Sequence, residues 1–76
     1  MIKEHERVVL TADMPAERLQ TGDVGTVVHV YENGQAYEVE FVTLDGRTAA
    51  VVTLKADQVR PVGPREITHA RELAAT

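Results

Sequence analysis

The sequence predicts a small all-β protein with five strands, and two observations lead to that prediction. The first is a series of short runs rich in Val, Thr, Tyr and Phe, separated by turn-forming residues. These runs cover residues 7–11, 25–31, 36–42, 48–54 and 59–62. The second is a pair of dipeptides, Asn33-Gly34 and Asp45-Gly46, which are typical of tight turns between antiparallel strands. Short strands of this kind favour a small β-barrel.

The first dipeptide predicts a register for the strands on either side of it. With Asn33-Gly34 as a two-residue loop, residues at equal distances from the loop face each other. The predicted pairs are Val30–Tyr37, Val28–Val39 and Thr26–Phe41 on one face, and Tyr31–Ala36, His29–Glu38 and Val27–Glu40 on the other. We further expect the His29 imidazole to pair with the Glu38 carboxylate across the strands.

The second dipeptide gives a register that agrees with the first. With Asp45-Gly46 as the loop, the facing pairs are Phe41–Ala50, Val39–Val52 and Tyr37–Leu54. Both registers place an apolar layer on one face and leave Glu38 and Glu40 on the other, since successive strand residues alternate between faces. We expect five further residues to close the core: Val8, Leu10, Leu19, Val24 and Val59.

The predicted outer face carries several small apolar side chains around Glu40. They are Val27, Val42, Ala49 and Val51. Valine is common in strands whether or not it contacts anything, so β-propensity accounts for this pattern as well as function does. The functional interpretation is a contact patch for a partner protein, a second copy of the chain or the chain's own tail. Three lesser candidates for the same interaction surface are Met14, Ile67 and Leu73.

A change of pattern at Gly63-Pro64 predicts a barrel over residues 1–62 and a tail over residues 63–76. In the tail, apolar residues recur at the spacing of a helix: Ile67, Ala70, Leu73 and Ala74. A helix of about ten residues is marginal in water by itself. The tail is therefore expected to be a short helix docked on the barrel or a disordered segment.

The composition limits the functional classes. The chain has 76 residues, no cysteine and a formal net charge of −4, which excludes disulfides and cysteine-based metal sites. Residues 1–62 hold ten acidic and six basic side chains, so the acidic excess belongs to the barrel. Nucleic-acid binders usually carry a basic stripe, and this charge balance argues against such a partner. Because no signal peptide or membrane span is visible, we expect a cytoplasmic protein without a membrane partner.

Three segments carry a resemblance to a known family: residues 21–31, 37–41 and 56–62. Together they resemble an uncharacterised bacterial family, the domain of unknown function DUF4926, over residues 2–62. The resemblance implies an SH3-like barrel and implies no activity.

Two other groups are similar in single features. Residues 22–28, Gly-Asp-Val-Gly-Thr-Val-Val, resemble the KOW motif of ribosomal and transcription-elongation proteins, but the surrounding Lys and Arg of that motif are missing. The strand order, with Asp57 before a short last strand, resembles SH3-like accessory subunits of electron transport. Those subunits act by docking, and the likeness is one of fold alone.

The titratable residues do not form a recognisable catalytic set. His5, His29 and His69 are far apart in the sequence. Glu38 and Glu40 share one face of an open sheet, which offers no cleft of the kind that acid–base catalysis by paired carboxylates requires. We therefore expect a non-catalytic protein-interaction or accessory module without a cofactor or metal. Its partner would be an unidentified protein or a second copy, and the alternative is a KOW-like domain associated with nucleic acid.

Overall fold

Five antiparallel strands form a single sheet in the computed structural model, which describes residues 2–73. The strands are β1 (Arg7–Leu10), β2 (Val24–Tyr31), β3 (Ala36–Val42), β4 (Thr48–Lys55) and β5 (Val59–Pro61). Two single 3₁₀ turns, Pro15–Glu17 and Ala56–Gln58, interrupt the connections. The sheet order is β4-β3-β2-β1-β5, so β4 and β5 are its two edges. This confirms the predicted all-β class with five strands, and the architecture is consistent with an SH3-like barrel whose sheet is not closed.

The first hairpin confirms the predicted register near the turn and departs from it further away. Tyr31–Ala36, Val30–Tyr37 and His29–Glu38 are paired as predicted, around a four-residue loop at 32–35. A β-bulge between Val27 and His29 then inserts Val28 as an extra residue in β2. The pairs beyond it are Val27–Val39 and Thr26–Glu40, so the predicted partners of Val27, Val28 and Thr26 are wrong.

The close packing of Gly25 against the core explains why β2 contains the bulge. With Val28 as the extra residue, Val27 becomes fully buried and Val28 is 40% exposed. Gly25 then packs so closely on the core that an added Cβ would lie 2.6 Å from a Val39 methyl carbon and 2.8 Å from the Phe41 ring. Only glycine fits at that distance. The predicted register would instead have placed the larger side chain of Thr26 against Phe41.

The second hairpin has the predicted register but a different turn. Phe41–Ala50, Val39–Val52 and Tyr37–Leu54 are paired as predicted. The loop spans three residues, 44–46, and is closed by a hydrogen bond from the Thr43 amide to the Arg47 carbonyl. Of these three residues only Gly46 has a positive φ, which is typical of a three-residue loop and not of the two-residue turn predicted. Val42 pairs with Thr48 and Phe41 with Ala50, so Ala49 is an unpaired residue in β4. This second irregularity offsets the extra loop residue and restores the predicted register.

The core forms on the inner face of the sheet. Its members are Ile2, Val8, Leu10, Leu19, Val27, Tyr37, Val39, Phe41, Val52, Leu54 and Val59. The predicted core residues Val8, Leu10, Leu19 and Val59 are confirmed, whereas Val24 is only half-buried. Ile2 and Val27 are core residues that the sequence pattern did not indicate.

Residues 62–73 run along the sheet without regular secondary structure. The short helix considered for the tail does not form in the described residues, and Ala74 lies outside them. A helix here would be too short to persist without a large apolar contact, and Ile67 remains 94% exposed. The division of the chain at residue 62 stays a prediction. Across residues 2–73, no helix has the length and apolar character needed to cross a bilayer.

Candidate functional site

Residues 62–73 are called the C-terminal segment. A groove of about 1040 Å³ lies between residues 68–73 of this segment and the β3–β4 hairpin. We call it the outer-face groove, because it includes Thr26 and Glu40 of the outer sheet face. Its apolar lining includes Val42, Leu44, Ala49 and Leu73. Leu44 is 98% exposed and Val42 is 47% exposed, so much apolar surface there remains in contact with water.

The structure separates the seven predicted interaction residues into groups. Val42, Ala49 and Leu73 are brought together in the outer-face groove. Val51 lies beside the groove, directly opposite Glu40 in the β3–β4 pairing, and is 49% exposed.

The other three predicted residues do not join this surface. Val27 is buried in the core, because the bulge at Val28 turns its side chain inward, and its assignment to the patch is wrong. Met14 packs against the core and bridges to Leu19. Ile67 is exposed in the C-terminal segment outside the groove lining.

The two outer-face glutamates are held by hydroxyl groups. The Thr48 hydroxyl donates a 2.6 Å hydrogen bond to Glu40. The Glu38 carboxylate accepts hydrogen bonds from the Tyr31 hydroxyl at 3.1 Å and the Thr53 hydroxyl at 2.7 Å. The bond to Glu38 raises the pKa of Tyr31, because ionising the phenol would break it. Both carboxylates are therefore engaged in fixed contacts on an open face.

The predicted side-chain pairing of His29 with Glu38 is wrong, although the two backbones are paired. His29 Nδ1 lies 3.6 Å from a carboxylate oxygen of Glu4, and the His29 ring packs edge-on against Tyr31 at a centroid distance of 4.5 Å. The Glu38 carboxylate is instead bonded through Oε1 to the hydroxyls of Tyr31 and Thr53.

The end of the C-terminal segment is held by Arg71, whose guanidinium binds Asp23 at the start of β2. Arg71 Nε donates to Asp23 Oδ1 at 2.8 Å, and Nη2 donates to Oδ2 at 2.6 Å. Nη2 also donates to the Arg18 carbonyl oxygen at 3.0 Å. The side chains of Arg71 and Asp23 are only 23% and 17% exposed. The guanidinium lowers the pKa of Asp23, and the carboxylate raises the pKa of Arg71.

The start of the same segment is held by a second pair, Arg60 and Glu66. Two hydrogen bonds of 2.8 and 2.7 Å join the guanidinium to the carboxylate. The Gly63 amide donates a third, at 2.6 Å, to the same carboxylate. The Arg60 guanidinium and then the Gly63 amide lower the pKa of Glu66 to about 2. This pair is more open to water, with side-chain exposures of 48% and 39%.

Neither arginine–carboxylate pair was indicated by the sequence pattern. Asp23 stood out as part of the Gly22–Gly25 stretch, but nothing near Arg71 marks it as its partner. Among residues 2–73, no three His, Asp or Glu side chains are grouped as metal ligands. The expectation that the chain has no catalytic activity and no cofactor stays a prediction.

Comparison with known proteins identifies the family of the chain. No curated protein and no solved structure gives a significant match. The family model described as Domain of unknown function (DUF4926) matches residues 4–61. The matched range contains Asp23 and Arg60 but ends before Glu66 and Arg71. Because the match covers most of the chain, the protein belongs to the DUF4926 family of domains of unknown function.

Proposed function

We propose that this chain is a non-catalytic protein-interaction module that binds an extended segment of a partner protein in the outer-face groove. The observation that carries the proposal is the exposed apolar surface of Val42 and Leu44 in the groove, continued by Val51 beside it. Apolar side chains that cluster in a concave surface are typical of binding sites. Burying them against a partner would contribute about 25 cal/mol for each Å² removed from water.

The groove is large enough to hold a short peptide segment. Its volume of about 1040 Å³ is at the upper end of ordinary ligand clefts. It combines an apolar lining with charged groups of both signs, including Arg7, Arg47, Glu40 and Glu72. Apolar contacts would supply affinity and the charged groups would orient the bound segment.

The contacts of the two outer-face glutamates support a role without catalysis. Glu38 and Glu40 accept hydrogen bonds from neighbouring hydroxyls on an open sheet face, so neither is poised as an acid or base. The absence of cysteine fits a reducing compartment, and we propose the cytoplasm as the setting. An accessory subunit of a larger assembly would combine these properties.

The first experiment is affinity capture with the tagged full-length chain, from lysate with and without nuclease treatment, read by mass spectrometry. The variants are Val42→Glu and Val51→Glu, which place a charge on the proposed surface. Val28→Glu is the matched control, because Val28 is also an exposed valine in a strand but neither lines the groove nor pairs with a lining residue, whereas Val42 lines it and Val51 pairs with Glu40 of the lining. Circular dichroism verifies that each variant is folded.

We expect to capture a protein partner whose recovery is unaffected by nuclease. The amount captured should fall at least about tenfold with Val42→Glu or Val51→Glu and remain unchanged with Val28→Glu. Equal capture by all variants would contradict the proposed site. Recovery of nucleic acid, with proteins that disappear after nuclease, would instead support the KOW-like alternative.

A further inference from the structure

The acceptors around the Arg71 guanidinium are fixed by the rest of the fold. The Gln20 amide donates a 2.8 Å hydrogen bond to Asp23 Oδ2, which holds the carboxylate independently of Arg71. The Arg18 carbonyl follows the Pro15–Glu17 turn, where Arg18 itself adopts a left-handed conformation with φ of 60° and its amide bonds to the Pro15 carbonyl. Three acceptor atoms are therefore preorganised in the geometry that a planar guanidinium needs.

The segment that supplies Arg71 is exposed over most of its length. Residues 64–70 are all exposed and have no regular secondary structure. The hydrogen bonds and ion pairs that hold residues 62–73 lie near Gly63 and Glu66 at one end and Arg71 at the other. A segment attached in this way can detach locally at low cost, while the acceptors on the body stay in place.

We propose that Asp23 and the Arg18 carbonyl form a guanidinium-binding site that recognises an arginine of the partner's extended segment, with Arg71 as its intramolecular occupant. This inference rests on the proposed function and adds that the partner segment contains an arginine. Asp23 and Leu19 lie in the lining of the same groove as Val42 and Leu44, so one extended segment reaches both. The acidic excess of residues 1–62, ten acidic against six basic side chains, favours a basic segment.

Arg71 competes with the partner for the site. A tethered group acts at an effective concentration in the millimolar range, so a free arginine peptide binds weakly until Arg71 leaves or is removed. The partner displaces Arg71 because its segment also contacts Val42 and Leu44, the part of the groove that belongs to the β3–β4 hairpin and stays in place when the C-terminal segment detaches. Lysine is a poor substitute, since an ammonium group cannot donate two parallel hydrogen bonds to Asp23 and a third to the Arg18 carbonyl.

The test uses the full-length Arg71→Ala chain and a fluorescent synthetic peptide with the sequence of residues 63–73. A second peptide has Lys in place of the arginine that corresponds to Arg71 and keeps the arginine that corresponds to Arg65. Fluorescence anisotropy should show at least about tenfold tighter binding of the arginine peptide to Arg71→Ala than to the unmodified chain. The lysine peptide should bind at least about tenfold more weakly to Arg71→Ala. Adding Asp23→Asn to Arg71→Ala should abolish the difference between the peptides.

Equal binding of the two peptides to a folded Arg71→Ala chain would overturn the guanidinium site, while the capture experiment on Val42 and Val51 would still decide the proposed function. If Arg71→Ala does not fold, the unmodified chain is titrated with the arginine peptide, and displacement of the Arg71 Nε–H signal is followed by NMR. Persistence of that signal at saturating peptide would overturn the proposal. A dimer of the unmodified chain that Arg71→Ala abolishes would assign the site to a second copy and overturn the partner assignment.

Discussion

The two arginine–carboxylate pairs that hold the C-terminal segment have nearly the same bonding but different surroundings. Arg60–Glu66 and Arg71–Asp23 are both bidentate, with bond lengths between 2.6 and 2.8 Å. Arg60 and Glu66 are about twice as exposed to water as Arg71 and Asp23. Arg60–Glu66 joins residues six positions apart, whereas Arg71–Asp23 joins residues 48 positions apart.

The differences in burial and in sequence separation determine how much each pair can contribute to the stability of the fold. An exposed ion pair adds little to the free energy of unfolding, because water screens the charges and ordering two long side chains costs entropy. A half-buried pair is screened less, and removing one partner leaves the other charge poorly solvated. Arg60–Glu66 therefore shapes the local turn after β5, while Arg71–Asp23 connects the tail to the sheet. Three predictions follow this comparison from the larger effect to the smaller.

Removing Asp23 should have the largest effect on stability. Asp23→Ala deletes the acceptor of two bonds from Arg71 and of one from the Gln20 amide. Bonds to charged groups contribute about 1.5–3 kcal/mol, so we expect the free energy of unfolding to fall by about 2 kcal/mol in urea denaturation. Asp57→Ala is the control, because Asp57 is exposed and its carboxylate forms no hydrogen bond or ion pair with any residue from 2 to 73. Equal effects of the two variants would show that the Arg71 contact does not stabilise the fold.

Replacing each arginine by lysine should separate the two pairs. Lysine keeps the charge but loses the planar fork. We expect Arg71→Lys to reduce the free energy of unfolding by about 1 kcal/mol. Arg60→Lys should leave the urea midpoint unchanged, because that pair is exposed to water. If both variants shift the midpoint equally, burial is not what distinguishes the pairs.

Lowering the pH should break the Arg60–Glu66 pair with only a small effect on the free energy of unfolding. The pKa of Glu66 is lowered from 4.5 to about 2. A carboxyl group with a lowered pKa contributes stability above its unfolded pKa and loses it as the pH falls through the folded value. The contribution of Glu66 should therefore disappear between about pH 4.5 and pH 2. NMR titration of the Glu66 side-chain carbon should give a midpoint near 2, and Arg60→Ala should raise it. A midpoint close to 4.5 in the unmodified chain would exclude the pair in solution.

The strands and most of the register were predictable because their determinants are local. Asn33-Gly34 and Asp45-Gly46 each mark a turn, and alternation then assigns Tyr37, Val39 and Phe41 to the core. The bulge was not predictable from alternation, since Val27 and Val28 are chemically identical and either could face inward. Gly25 was the available signal, because glycine inside a strand often marks a bulge or a close approach.

The candidate site was predicted only in part. Val42, Ala49 and Val51 follow from the β3–β4 register, which was predicted correctly although the loop has three residues and not two. The Arg71–Asp23 contact depends on the path of a segment without secondary structure, and no periodicity encodes such a path. Helical spacing in the tail was misleading, because a periodic pattern forms a helix only where its apolar face can be buried.

The sheet order also determines when the protein can fold during its synthesis. β2, β3 and β4 pair with their neighbours in the chain and can form a meander as soon as they leave the ribosome. β1 leaves before the other four strands of the sheet, but its Val8 pairs with Pro61 of β5, the last of the five to be made. Until then one edge of the first strand is open to pairing with other nascent chains. Of the three inner strands, β1 is therefore made first and paired on both edges last, and the interval depends on how quickly translation proceeds from β1 to β5.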